Sequence, residues 1–297
     1  MIVLLGSSGY VGGYFARELE TRGIPYIAPS RTHCDYYDPS AVTDLIRQVD
    51  AEYLINCAGY TGKPNVDACE ADKTECLNGN AILVGRIREA CERANIPWGH
   101  VSSGCIFTGR NDLGAGFTET DPANFSFRTN NCSFYSGTKA LGEEILADCE
   151  TCHIWRLRIP FNHVDSPRNY LSKLMRYSRL LEAENSLSHL DDFVRVCVDC
   201  WVKRVPFGIY NATNTGSVTT RQVADLIRKH LTPDKQYEFF KSEDEFMQMA
   251  AIAPRSNCVL DNSKLLETGI HMRHVEEAIM ESLQNWVWEP VDAQVAV

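Results

Sequence analysis

Residues Ile2 to Leu5 are continuously apolar, the pattern of a strand buried on both faces of a parallel sheet. Gly6-Ser7-Ser8-Gly9-Tyr10-Val11-Gly12 follows, then a helical periodicity through Arg22. The alternation continues with a strand over Tyr26 to Ala28, a helix over Pro39 to Val49 and a strand from Tyr53 ending in Cys57-Ala58-Gly59. A helix over Asn80 to Asn95 leads to an apolar run, Val101 to Phe107, that meets a turn. After a long loop of Gly, Asn, Asp, Thr and Pro between Gly109 and Asn131, a helix carrying Tyr135 and Lys139 runs to Asp148.

His153 to Ile159, closed by Pro160, and Gly208 to Ala212 read as further strands. Helices are predicted over Arg195 to Arg204, Ser217 to Leu231 and Val275 to Trp286, and Val291 to Val297 as a frayed tail. The β–α–β–α order predicts an α/β fold, a doubly wound parallel sheet of Rossmann type, with ligands bound beyond the carboxyl ends of its strands. The regularity breaks after Phe161. Residues 1–160 and 190–215 are therefore assigned to a dinucleotide-binding domain, and 161–189 with 216–297 to a second, smaller substrate-binding lobe.

Composition narrows the function. The formal net charge of −10 argues against a nucleic-acid partner, because such binders need surplus Lys and Arg for the phosphates. No apolar run approaches the roughly 20 residues that cross a bilayer, and no basic leader precedes Gly6, so no membrane partner is expected and a cytoplasmic location is. The 12 cysteines read as reduced thiols. Cys149/Cys152 and Cys197/Cys200 have Cys-x-x-Cys spacing but lie much farther apart than the roughly 15–20 residues of a zinc ribbon, so no metal is expected.

The glycine turn after the first strand brings backbone N–H groups and a helix start to one point, which suits a pyrophosphate. Arg31, after the second strand, favours a 2′-phosphate and hence NADPH, while Asp35 leaves NADH open. Strand alternation would point Ser103 and Cys105 to one side. Tyr135 and Lys139, one turn apart, share a helix face, where a cation lowers the phenol pKa and fits it for acid–base work. Each signal has a plainer reading: a strand-to-helix turn, a surface arginine, a packed cysteine, a solvated helix face.

Together, Gly6/Gly9/Gly12, Ser103, Tyr135 and Lys139 resemble the extended short-chain dehydrogenase/reductase superfamily over almost the whole chain. Within it, the chain is similar to the branch acting on nucleotide-linked 4-keto-6-deoxy sugars, which includes plant UDP-4-keto-6-deoxyglucose 3,5-epimerase/4-reductases and dTDP-4-dehydrorhamnose reductases. Thr61-Gly62-Lys63-Pro64-Asn65-Val66-Asp67, Gly104-Cys105-Ile106-Phe107, Ser133-Phe134-Tyr135-Ser136 and Ala253-Pro254-Arg255-Ser256-Asn257 carry the resemblance. It implies that Tyr135 protonates the C4 oxygen, Lys139 holds the ribose and tunes Tyr135, and Ser103 orients the C4 carbonyl. It further implies that Cys105 and Lys173 exchange protons at C3 and C5.

The cofactor contacts expected are Gly6, Ser8, Gly9, Tyr10, Val11, Gly12, Arg31, Cys57, Ala58, Gly59, Asn80, Tyr135, Lys139 and Pro160. Substrate contacts are expected from Thr61, Lys63, Asn65, Ser103, Gly104, Cys105, Asn169, Arg255 and Asn257, with Arg255 on the nucleotide diphosphate. The resemblance implies a homodimer. The resulting expectation is an NADPH-dependent bifunctional 3,5-epimerase/4-reductase that forms a rhamnose nucleotide, with UDP expected and dTDP open. A reductase alone and a catalytically silent Rossmann-fold subunit are the alternatives.

Overall fold

The apolar runs become a six-stranded, all-parallel sheet in a computed structural model that describes residues 1–63 and 65–288. In chain order the main elements are β1 (Ile2–Leu5), α1 (Tyr10–Thr21), β2 (Tyr26–Ile27), α2 (Pro39–Gln48) and β3 (Tyr53–Asn56). Then come α3 (Leu83–Ala94), β4 (Trp98–Ser103), α4 (Phe134–Ile145), β5 (Cys152–Leu157), α5 (Tyr170–Arg176), α6 (Leu190–Val202) and β6 (Gly208–Asn211). Finally α7 (Thr220–His230), α8 (Glu243–Ala250) and α9 (Val275–Gln284) belong to the second half of the chain.

The strand order β6-β5-β4-β3-β1-β2 reverses direction between β1 and β3. Register pairs Val3 with Leu54 and Leu5 with Asn56, so the ends of these two strands open together at the switch point where ligands of such sheets bind. One face of the sheet is covered by α1 and α6, through Phe15, Leu19, Phe193 and Cys197. On the other face, α2 and α3 pack Val42, Ile46, Val84 and Ile87 against Val3, Leu5 and Leu54. A separate apolar cluster joins Phe161, Leu171, Val223, Ile227 and Ile279 in the second half of the chain.

Local chemistry sets the boundaries. Asp38 caps α2 by accepting the Ser40 amide, with Pro39 at the first helical position. Thr219 and Gln222 form a capping box at α7. The helix expected over Asn80 to Asn95 opens instead as a π-helical turn, Asn78–Ile82, before α3. The helix expected at Arg195 starts earlier, at Leu190, and ends at Val202. Cys197 and Cys200 both point into the core. The tail Val291 to Val297 lies outside the described residues.

The helix that carries Tyr135 is docked by a buried ion pair. Glu143, two turns beyond Tyr135, receives Arg156 of β5 through Nη2 at 2.8 Å and Nε at 3.1 and 3.2 Å. It also accepts the Ser102 hydroxyl of β4 at 2.5 Å. The side chains are 8% and 4% exposed. Removing one partner strands a buried charge, so Glu143→Ala is expected to cost about 3–5 kcal/mol in urea unfolding, far above the roughly 1 kcal/mol of a surface pair.

Candidate active site

The sequence folds its glycine turn into a tight cradle. Gly6, just after β1, adopts φ 81°, and a Cβ there would lie 2.6 Å from the Ala58 amide. A Cβ on Gly12 would lie 2.1 Å from the Gly6 carbonyl oxygen, so only glycine lets α1 start this close to the strand ends. No side chain caps the start of α1, and Ser8 and Gly9 are exposed there, leaving amide donors open to an anion. Across the switch point, Asn56 Oδ1 accepts the Ala58 amide at 2.9 Å and turns Cys57-Ala58-Gly59 along the same opening. Arg31 stands exposed after β2, its guanidinium 6.0 Å from the Tyr36 ring centre. A glycine cradle, an open helix start and a neighbouring cation fit a dinucleotide carrying a 2′-phosphate.

Beyond β4 the chain does not continue as a strand. Ser103 is its last residue, and Gly104–Ile106 form a 3₁₀ turn whose Cys105 amide donates to Ser103 Oγ at 3.2 Å. Cys105 thus reaches the side of Ser103 through a turn, not through the strand alternation expected from sequence. Tyr135 lies in the first turn of α4, with the Ser103 hydroxyl and the Cys105 sulfur among the groups that act on its phenol. Burial and the neighbouring Cys105 sulfur push the phenol well above its usual value, keeping it protonated. Lys139 Nζ donates to the Val101 carbonyl at 3.1 Å, and burial lowers its ammonium. Burial raises the Cys105 thiol, opposed by hydrogen bonds from Ser103 and Ser136 and by the charges of Arg158 and Lys139. Ser103, Cys105, Tyr135 and Lys139 therefore form one cluster at the end of β4.

A second group gathers from α5 and the loops. Lys173 is half-buried, and desolvation plus the charges of Arg168 and Arg255 lower its ammonium below the usual value. Arg168 donates to Thr61 Oγ1 and to the Gly62 carbonyl, both at 3.0 Å. Lys63 is exposed, while Asn65 Oδ1 accepts the Asp67 amide. Asp67 in turn takes the fork of Arg255, with both N–O distances 2.7 Å, and faces the amides of Ile252 and Ala253.

Three sequence-based assignments look different here. Arg255, expected on a diphosphate, spends both Nη groups on Asp67, because the 61–67 loop folds back against it. Asn169, expected at the substrate, is fully buried: it caps α5 through the Leu171 amide and donates to Asn162 and Val164. Asn80, expected at the cofactor, accepts the Tyr60 amide and donates to the Tyr60 carbonyl and Thr138 Oγ1, tying the π turn to α4. Asn257 accepts from Asn185 Nδ2 at 3.2 Å. Pro160 follows Ile159, which adopts φ 37°, a left-handed backbone rare for a β-branched residue. Arg158, Arg168 and Asp67 are not among the site residues expected from the sequence, although Asp67 ends the Thr61–Asp67 stretch that carries the resemblance.

Among the described residues one set of potential metal ligands comes together: His163, His189 and Asp191. Arg273 Nη2 already sits 3.4 Å from His189 Nδ1, so a fixed cation occupies its neighbourhood.

The parallel sheet, the glycine cradle and the grouping of Ser103, Tyr135 and Lys139 are those of the Rossmann-fold short-chain dehydrogenase/reductase class. More narrowly, the chain belongs to the RmlD substrate binding domain family, whose model matches residues 1–287. It is 32% identical over 293 residues to the bifunctional dTDP-4-dehydrorhamnose 3,5-epimerase/dTDP-4-dehydrorhamnose reductase of Arabidopsis thaliana, covering 97% of this chain and 92% of that one. It is 31% identical over 294 residues to a trifunctional UDP-glucose 4,6-dehydratase/UDP-4-keto-6-deoxy-D-glucose 3,5-epimerase/UDP-4-keto-L-rhamnose-reductase of the same plant. That match takes in 97% of this chain but only 42% of the longer relative. A solved UDP-rhamnose synthase of Acanthamoeba polyphaga mimivirus superposes with a TM-score of 0.86 at 25% identity, covering 96% of this chain and 98% of that one.

The Asp67–Arg255 pair gives a pH signature. The cation beside it holds the Asp67 carboxyl below its ordinary value. A carboxyl depressed in the folded state stabilises above its unfolded pKa and loses that contribution as pH falls through the folded value. Between about pH 5 and pH 2 the wild-type chain is therefore expected to lose about 1 kcal/mol more stability in urea than Asp67→Asn. Parallel pH curves for the two chains would show that the pair contributes nothing.

Proposed function

We propose that the chain is a bifunctional enzyme that epimerises a nucleotide-linked 4-keto-6-deoxyglucose at C3 and C5 and then reduces C4, yielding the rhamnose nucleotide. The observation that carries this reading is the placement of a thiol, Cys105, beside Ser103 and Lys139 in the cluster at the end of β4, together with the depressed ammonium of Lys173. A reductase alone has no use for either group. The C4 ketone acidifies the protons at C3 and C5, so one group must remove a proton and another return one to the opposite face. A thiol and an amine tuned by their surroundings suit that exchange.

Bound NADPH supplies the hydride for C4, and Arg31 favours its 2′-phosphate. Tyr135, kept protonated, gives its phenolic proton to the C4 oxygen as that oxygen gains charge. Ser103 orients the carbonyl beside the phenol, and Lys139, anchored on Val101, restores the phenol's proton supply and holds the ribose. Reduction removes the ketone and with it the acidity of C3 and C5, fixing the new configuration. UDP is the nucleotide favoured, in keeping with the UDP-linked reactions in the names of the trifunctional relative and the mimivirus synthase.

Incubation of UDP-4-keto-6-deoxyglucose with NADPH in deuterium oxide is expected to give UDP-rhamnose labelled at C3 or C5. Cys105→Ser is expected to cut deuterium uptake by about 100-fold or more, with a much smaller loss in reduction of an already epimerised 4-keto substrate. Tyr135→Phe is expected to do the reverse, losing about 10²–10⁴ in reduction while uptake continues. Equal loss of both activities in Cys105→Ser would sink this division of labour, and a wild-type chain that takes up no deuterium would be a reductase alone.

A further inference from the structure

Arg158 leaves the sheet just beyond β5, where the chain turns through the left-handed Ile159 toward the second half of the molecule. Its residue is 5% exposed, yet its guanidinium meets only neutral oxygens: Asn185 Oδ1 at 2.5 Å and the Ser256 carbonyl, both from Nη2. Nε is buried without a partner. Arg156, two residues earlier, has Glu143, and Arg255 has Asp67, but among the described residues no carboxylate lies within ion-pairing distance of Arg158. A buried charge left unneutralised costs several kcal/mol, so a protein that keeps one has somewhere to place a negative charge beside it.

A candidate is the Cys105 thiol: Arg158 Cδ lies 3.5 Å from where a Cβ on Gly104 would sit, one residue before Cys105, and the guanidinium charge acts on the sulfur. Its position is braced, because Asn185 Oδ1 also accepts the Cys258 amide at 3.0 Å and Asn185 Nδ2 donates to Asn257. The groups acting on the sulfur are Ser103 at the end of β4, Tyr135, Ser136 and Lys139 of α4, Cys132 before that helix, and Arg158. Of the two cations, Lys139 sits on the helix of Tyr135 with Nζ on the Val101 carbonyl and is the one assigned to the phenol and the ribose, which leaves Arg158 without another task.

We propose that Arg158 is a positioning residue for Cys105, a braced and unneutralised cation that holds the negative charge of the sulfur whenever the thiol is without its proton. The proposal rests on the reading of Cys105 as a proton-transfer group. When Cys105 protonates a sugar carbon, the S–H bond breaks, a C–H bond forms and the electron pair stays on sulfur. When Cys105 removes a proton, the same thiolate is the reactant. Both directions pass through the state that Arg158 stabilises, and solvent restores the proton afterwards. Burial opposes that state, which is why a cation is needed beside it.

The test is the pH dependence of Cys105 alkylation by iodoacetamide in the full chain without substrate, quantified on the Cys105 peptide by mass spectrometry. Arg158→Gln, which keeps hydrogen-bonding capacity but removes the charge, is expected to raise the midpoint by about one pH unit. Arg158→Lys, which keeps the charge, is expected to stay near the wild-type midpoint. In Arg158→Gln, deuterium uptake at neutral pH is expected to fall about tenfold in step with the thiolate fraction. An unchanged midpoint in Arg158→Gln overturns the proposal. So does an upward shift of a full unit in Arg158→Lys, which stands as the deciding variant should Arg158→Gln fail to fold. If Cys105→Ser keeps full deuterium uptake, the epimerase reading falls, while the alkylation midpoints still report whether Arg158 holds the sulfur's charge.

Discussion

The interaction on which the site depends is the buried contact of Arg156 with Glu143. Through it a single guanidinium fastens the helix that bears Tyr135 and Lys139 to the middle of the sheet. Ser102 shares the carboxylate from the adjacent strand, and Arg156 also lies over the Phe107 ring, 5.0 Å from its centre. One helix face therefore carries Tyr135, Lys139 and Glu143 at intervals of one turn, two of them addressing the pocket and the third the sheet. Desolvating such a pair consumes most of its attraction, so its value lies less in net stability than in fixing where the phenol stands relative to Ser103.

Around that fixed centre the electrostatics divide by task. On the reductase side, burial keeps Tyr135 in its proton-bearing form and Ser103 stands beside it. Toward the second half of the molecule, positive charges gather: Arg158 near the thiol, and Arg168 and Arg255 near Lys173. Cations favour thiolate over thiol and amine over ammonium, so the same sign of potential prepares both groups for proton exchange. Asp67 moderates the surplus at Arg255 alone.

What was legible in the sequence was local. Apolar runs marked the six strands, though the fourth starts earlier, at Trp98, and ends at Ser103, within the run expected to form it; the glycines at 6, 9 and 12 gave the cradle, and a four-residue interval placed Tyr135 and Lys139 together. What was not legible depended on partners far away in the chain. Nothing near Asn169 reveals that Asn162 and Val164 will saturate it, and nothing near Arg255 reveals Asp67. The 3₁₀ turn at Gly104–Ile106 escaped because its residues are as apolar as a strand. Arg158 looked like one more strand residue, since its lack of a carboxylate is visible only once the fold has assembled its surroundings.

The loop that follows β3 has a consequence for how such an enzyme can be inherited. It leaves the first third of the chain and is held by Arg168 from the middle and by Arg255 from near the end. The pocket is thus laced across the linear order of the chain instead of lying within one half. Neither half can be exchanged as a cassette without cutting those ties, whereas the whole unit can be fused intact to another enzyme. In the plant relative, the matched region makes up 42% of a longer polypeptide.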